Sequence, residues 1–246
     1  MKHLLAYVIW NKVNMVEWLI DGIVDSFNPF SVDILFVLDN PIDGTEKKIL
    51  ELCESKLKGF HVFVKIFRVE TYKFPCQNWA MEYAGVNGYI SVICPQDDQR
   101  ITDKYLLKNI DKAFDVYGDL LGCIGFRDGF DYGYQNMISS EWSESTLTAE
   151  PRLLNGETKE VTLINDGGIC YPLHLINAIG YNDVETFKRF YIEDDYSLRA
   201  TKLGFKNLVM GNSLIHDRTL SSVSSTHYEG NIGETDLKAF KAKWNL

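Results

Sequence analysis

The 246-residue sequence contains no basic run, and its 34 Asp and Glu residues outnumber 25 Lys and Arg, for a formal charge of −9. A protein that grips nucleic acid through its overall field needs clustered cations, so that class is excluded. An acidic chain that handles a phosphorylated ligand needs a metal ion or a local pocket of Arg, Lys or His. Glycine-rich phosphate loops are missing as well: no GxGxxG follows the first predicted strand, and no GxxxxGK[ST] occurs, which removes the dinucleotide fingerprint and the P-loop. The five cysteines, Cys53, Cys76, Cys94, Cys123 and Cys170, form no CxxC pair. Three lie in or beside apolar runs, as reduced, buried thiols of a cytosol-like compartment do. No apolar run reaches the length of a membrane span, and the short one from Leu4 to Trp10, broken by Asn11 and Lys12, is too short for a signal peptide. The expectation is a soluble, cytoplasmic protein.

What is present reads as one α/β domain over residues 1–246. Hydrophobic content of 46% is ordinary for a chain that buries a full core. Strand patterns at 4–10, 32–38, 62–69 and 89–94 alternate with helical patterns: Asn14 as N-cap of a helix to Ser26, a helix carrying Ile49, Leu50, Cys53 and Leu57, and a short helix over 77–86. That alternation predicts a parallel sheet of βαβ units. Further on, the patterns predict a helix over 104–117 capped by Thr102 or Asp103, a strand over 120–126, a strand end and helix over 169–179, and a helix beginning at Glu193 and ending near Gly204. Strand pieces at 205–210 and 213–215 deliver His216, and a terminal helix covers 235–244. The connection from Arg127 to Val161, with Phe130, Tyr132, Tyr134 and Trp142, is long enough to be functional, and its aromatic rings either stack on a sugar or anchor the loop.

The chain is organised around Pro95-Gln96-Asp97-Asp98-Gln99, directly after the fourth strand. Open α/β sheets bind ligands at the carboxyl ends of their strands. Adjacent Asp side chains repel, so the pair suits a hard divalent cation that also touches phosphate oxygens. The same residues also suit a solvated strand-to-helix turn. A second acidic cluster, Glu193-Asp194-Asp195, lies in a first helical turn, where the dipole favours carboxylates with or without a further role. Asp39 suits a turn cap and His216 a core or loop histidine.

Three segments together resemble GT-A fold glycosyltransferases of the family 2 type. They are YVIWNKVNMVEWLIDGIVDSF with ILFVLDNPIDGT over 7–45, then NWAMEYAGVNGYISVICPQDDQRITDKYL, then GGICYPLHLINAIGYND through EDDYSLRATKLGFKNL to His216. The resemblance implies a Rossmann-like, mainly parallel sheet flanked by helices, with a nucleotide-binding half over 1–100, an acceptor and catalytic half over 101–218, and a tail and helix over 219–246. It implies a UDP-sugar donor, a carbohydrate or glycan acceptor, Mn²⁺ or Mg²⁺ as cofactor, and transfer with inversion. Tyr7, Trp10 and Asn11 would then lie beside the base and ribose, and Asp39 would accept from the base imide. Asp97 would lie at the ribose and diphosphate, while Asp98, with His216, would ligate the metal. Asp194, with Glu193 as the alternative, matches the base. The motif is Gln-Asp-Asp where many members carry Asp-x-Asp, and both acidic clusters keep their internal alternatives open. Two rival expectations stand beside this one: a non-catalytic nucleotide- or carbohydrate-binding domain, and a sugar-1-phosphate nucleotidyltransferase, whose glycine-rich opening loop has no counterpart in residues 10–14.

Overall fold

A computed structural model describes residues 2–128, 153, 157–164, 167–216 and 231–245. The loop aromatics Phe130, Tyr132, Tyr134 and Trp142, together with Asp166 and Arg218, lie outside the described residues, as do the side chains of Arg127 and His216. The elements run β1 (His3–Ile9), α1 (Val16–Ser26), β2 (Val32–Asp39), α2 (Thr45–Ser55), β3 (Val62–Phe67), α3 (Lys73–Val86), β4 (Ser91–Cys94), β5 (Gln99–Ile101), α4 (Leu106–Tyr117), β6 (Leu121–Asp128), β7 (Thr158–Val161), β8 (Gly168–Pro172), α5 (Leu173–Ile179), α6 (Ile192–Lys202), β9 (Lys206–His216) and α7 (Ile232–Trp244).

One nine-stranded sheet has the order β3-β2-β1-β4-β8-β6-β9-β5, with β7 pairing with β9. The pairings give β1, β2, β3, β4, β6 and β9 one direction and β5, β7 and β8 the other. The sheet is therefore mainly parallel, as its βαβ alternation predicts. Every residue of β1 and β2 is buried, as expected of parallel strands covered on both faces. Alternate β1 residues feed two cores: Leu5, Tyr7 and Ile9 pack with α1, α2 and α4, while Leu4, Ala6 and Val8 pack with α3, α5 and α6. A third cluster, Phe74, Leu163, Phe187, Ile192 and Phe240, seats α7 against the start of α6.

Several boundaries differ from the sequence patterns, each for a local reason. The cap of α1 is Met15, with no side-chain capping bond, so the preference of Asn for that position is not used. Helix α3 starts at Lys73 rather than 77, with Pro75 in its first turn, where a missing N–H costs nothing. Leu203 caps α6, with Gly204 at φ 89° just beyond, the expected left-handed exit. The acidic stretch does not lead straight into a helix. It joins β4 to the short strand β5, which pairs antiparallel with the end of β9. Strands of three and four residues, such as β5 and β7, carry too little periodicity to be legible alone.

Candidate active site

The order β3-β2-β1-β4 reverses direction of winding at β1, so the carboxyl ends of β1 and β4 open onto a topological switch point, where open α/β sheets bind ligands. Three loops meet there. Residues 10–15 follow β1, 40–44 follow β2, and 95–98 follow β4.

The first two loops are tied together by short-range polar contacts. The Asn11 Oδ1 accepts the Ile42 amide at 2.9 Å, the Thr45 Oγ1 accepts the Lys12 amide at 2.9 Å, and the Asp43 carboxylate accepts the Val13 and Thr45 amides at 3.0 Å each. Asn11 and Asn40 both take positive φ, 46° and 43°. Asn is among the few side chains that tolerate that region, and here it lets each chain turn sharply off its strand.

The acidic stretch is a closed turn. The Gln99 amide donates to the Gln96 carbonyl at 3.1 Å, and the Gln99 side-chain oxygen accepts the Gln96 amide at 3.0 Å, leaving Asp97 and Asp98 at the tip. The fully buried Tyr7 donates its hydroxyl to the Gln99 carbonyl at 2.9 Å. Tyr7 thus fixes the base of the turn and has no surface to offer a nucleotide. Gly168 on β8 makes the close approach possible: a Cβ there would lie 2.5 Å from Leu214 Cδ1, 3.1 Å from Gln99 Oε1 and 3.3 Å from Pro95 Cα.

Asp97 accepts the Trp10 amide at 3.4 Å and faces the Lys12 ammonium at 3.8 Å. Burial pushes its carboxyl up to about 6; Lys12 pulls the other way, and neighbouring Asp98 adds to the rise. Two adjacent carboxylates with one ammonium 3.8 Å away favour a further cation. The donor set is hard oxygen, and it fits Mn²⁺ or Mg²⁺. Gln99 pairs with His216 across the β5–β9 ladder, which brings His216 within one residue of Asp98 in register. Among the described residues no cluster of three His, Cys, Asp or Glu ligands forms.

Asp39 is 2% exposed, and its two oxygens accept the Thr71 and Tyr72 amides at 2.7 and 2.8 Å. It therefore fixes the corner that starts α3. Tyr72 takes φ 73°, and Lys73, the next residue, donates from its ammonium to Glu193 Oε1 at 2.9 Å. That contact joins α3 to the first turn of α6, and Lys73 also acts electrostatically on Asp97. Lys73 thus ties the second acidic cluster to the start of α3.

Within the second cluster the three carboxylates separate by helical phase. Asp195 is fully buried and faces α7: it accepts from Arg199 Nε at 2.9 Å, Trp244 Nε1 at 3.1 Å and Lys243 Nζ at 2.8 Å. It is a structural anchor, and Arg199, which also reaches the Ile179 and Tyr181 carbonyls, belongs to the same anchor. Glu193 faces α3 through Lys73, and Glu193 and Asp194 are 4% and 3% exposed. Sequence reasoning placed Gln99 in the acidic stretch and read Asp166-Gly167-Gly168 as a tight backbone passage without tying either to the site, and it missed the roles of Lys12 and Lys73. Lys12 had a usable signal, a cation directly after the first strand, whereas Lys73 had none, because its significance depends on a residue 120 positions away.

A switch-point turn carrying adjacent carboxylates, a parallel half and a mixed second half make the architecture of the GT-A fold. No protein-family model and no curated protein sequence matches the chain. Among solved structures, S. aureus TarS 1-349 in complex with UDP-GlcNAc has a TM-score of 0.61 and 17% identity, covering 95% of this chain. The mannosyltransferase PcManGT from Pyrobaculum calidifontis, in complex with GDP-Man and Mn²⁺, has a TM-score of 0.61 at 9% identity, covering 98% of this chain and 68% of that one. GalNAc-T7 with UDP, GalNAc and Mn²⁺ has a TM-score of 0.67 at 11% identity, covering 88% of this chain. The chain spans 61% of the TarS fragment and 44% of the GalNAc-T7 chain. At these identities the likeness establishes the fold. No helix among the described residues is long and apolar enough to cross a membrane.

Proposed function

We propose that this protein is a glycosyltransferase that moves a sugar from a UDP-sugar to an acceptor hydroxyl, with Mn²⁺ or Mg²⁺ and with inversion at the anomeric carbon. The observation that carries the reading is the Asp97–Asp98 turn at the carboxyl end of the switch-point strands, with Asp97 facing the Trp10 amide and the Lys12 ammonium. Support also comes from the three solved structures of the same fold, which hold UDP-GlcNAc, GDP-Man or UDP.

Asp98, with His216, would hold the cation, which supplies Lewis-acid stabilisation of charge on a departing diphosphate. The remaining work belongs to the chain itself. Trp10 and Asn11 line the wall where the base and ribose sit, and Asp39 sets the corner behind it. Lys12 holds Asp97 in place through their ion pair. Asp194, or Glu193 beside it, takes the proton of the acceptor hydroxyl, a form of general-base catalysis that contributes roughly 10²- to 10⁴-fold.

The test is release of UDP from UDP-sugars in the presence of an acceptor. Wild-type turnover is expected to require Mn²⁺ or Mg²⁺ and to fall by about 10²-fold or more in Asp98→Ala, in line with loss of a group that stabilises developing charge. Turnover that survives both chelation and that substitution would reject the metal assignment. Metal-independent UDP binding without any transfer would favour the non-catalytic domain.

A further inference from the structure

Strand β3 ends the sheet, and among the described residues it has a strand partner on one side only, β2. Five of its six residues, Val62, Phe63, Val64, Ile66 and Phe67, are apolar, yet none is fully buried, whereas every residue of β1 and β2 is. Helix α3 packs chiefly over β1, β2 and β4 and reaches β3 through its Trp79 and Tyr83 rings, which leaves Phe63 38% exposed. Proteins blunt a bare apolar edge with proline, a bulge or an outward charge. β3 has no proline, its register with β2 runs unbroken, and its one charged residue, Lys65, lies back over the Phe67 and Trp79 rings at 5.0 and 5.1 Å. The Ile34 amide donates to the His61 carbonyl and the Asn40 amide to the Phe67 carbonyl, both at 2.9 Å. Backbone groups alternate sides along a strand, so the odd-numbered residues of β3 bond to β2. Val62, Val64 and Ile66 then turn their amides and carbonyls to the open side.

We propose that the open side of β3 pairs with β3 of a second copy of this chain, antiparallel about a twofold axis at Val64. The backbone sets the register. With Val64 opposite the partner's Val64, Val62 lies opposite the partner's Ile66, and every outward amide and carbonyl of these residues meets its complement. A slip of one residue sets outward groups against inward ones and makes no ladder. A slip of two pairs fewer of these residues, and in one direction it places the two Lys65 side chains opposite each other, a like-charge pair. In the register centred on Val64, Phe63 instead lies opposite the partner's Lys65, a ring against a cation, once on each side of the axis. The strand is complementary to itself in both backbone and side chains, which selects a second copy over a foreign peptide as its occupant. The two sheets then join into one with their strands running in opposite directions, so the two candidate sites open at opposite ends of it.

Sedimentation velocity of the full chain at micromolar concentrations and above tests this, and wild type is expected to sediment as a species of twice the 28.2 kDa chain mass. Val64→Pro removes an outward amide and leaves the ladder to β2 intact, while Phe63→Lys sets like charges opposite each other on both sides of the axis. Each is expected to raise the dissociation constant of the dimer by about tenfold or more. Phe63→Glu, which meets the partner's Lys65 with opposite charge, is expected to keep the dimer, and Phe63→Lys/Lys65→Glu to recover it. A monomeric wild type, with or without a bound peptide, overturns the proposal. So does a dimer indifferent to Val64→Pro and Phe63→Lys, which would lie on another surface. Phe63→Lys and Phe63→Glu lose the same apolar contact, so a Phe63→Glu chain as monomeric as Phe63→Lys also overturns it. If Val64→Pro fails to fold, the charge variants at the exposed Phe63 give the decision. None of these results bears on the glycosyltransferase reading.

Discussion

Gly168 shows how much one missing methyl group controls. A methyl group added there would press on Pro95 and Gln99, the two ends of the acidic turn, and on Leu214 of β9. Leu214 and Gln99 can each shift an outer atom, but the Pro95 backbone cannot, so Gly168→Ala is expected to cost about 1–3 kcal/mol, as overpacking does. The same change should move the turn and cut transfer more than it cuts stability; unchanged UDP release at full stability would show that the turn tolerates displacement. A second residue-scale prediction concerns His3, at the far end of the sheet. His3 Nδ1 contacts Ser91 Oγ at 2.7 Å and Nε2 contacts Asp111 Oδ1 at 3.1 Å. The arrangement has the residue types of a hydrolase triad, yet His3 and Ser91 are 1% and 0% exposed, so no substrate reaches it. Burial lowers the affinity of His3 for a proton, against the pull of Asp111. Phe114 packs on the ring. Below the ordinary His pKa of about 6.5 the unfolded chain takes up a proton that the folded one resists, so stability present above that pH is lost as pH falls. Urea midpoints measured at pH 7.5 and 5.5 should fall in wild type and fall less in His3→Gln. Equal falls would place the proton uptake elsewhere.

At the scale of elements, α7 is the support for α6. Asp236 of α7 is 1% exposed, and its carboxylate accepts three successive amides, Lys188 at 3.2 Å, Arg189 at 2.8 Å and Phe190 at 2.9 Å. Those residues lead directly into the turn at Tyr191 that starts α6. Asp236→Ala removes the acceptor from three amides at once and is expected to cost about 2–4 kcal/mol, read as a shift in denaturant midpoint. A cost below about 0.5 kcal/mol would mean the loop holds itself. The elements were unevenly legible in the sequence. The strands and helices of the first hundred residues stood out because continuous Val, Ile and Leu runs alternate with helical spacing, and they lie within a few residues of where the patterns put them. β5 and β7 did not stand out, since their existence depends on β9, which lies far along the chain from both. The candidate site followed the same division. Asp97, Asp98, Glu193 and Asp194 were readable as acidic clusters at element ends. The anchoring of Asp195 by α7, the clamp of Asp39 on the 71–72 corner and the bridge through Lys73 are tertiary facts that no local spacing encodes.

For the whole molecule, the sheet divides the labour. Its parallel side, β3-β2-β1-β4, supplies the loops around the switch point, and its mixed side, β8-β6-β9-β5, supplies the support on which the acidic turn rests. A ligand seated at that junction binds the folded state alone and stabilises it by mass action. At a hundred times its dissociation constant, UDP with Mn²⁺ is expected to add ~2.7 kcal/mol, roughly 5–10 °C in melting temperature for a chain of this size. Omitting Mn²⁺ should remove most of the shift. A panel of nucleoside diphosphates that leaves the melting temperature unmoved, with and without the ion, would argue against a nucleotide site at the switch point.

The bond from Asp195 to Lys243 and Trp244 also sets a sequence of events on the ribosome. The parallel strands emerge from the exit tunnel early and close on helices that emerge beside them. Helix α6 emerges with one of its buried carboxylates leaning on Arg199, and its other two partners arrive only after a further stretch of translation, roughly 2–9 s at bacterial to eukaryotic speeds. For that interval the nascent chain holds a finished cradle beside an unfinished wall.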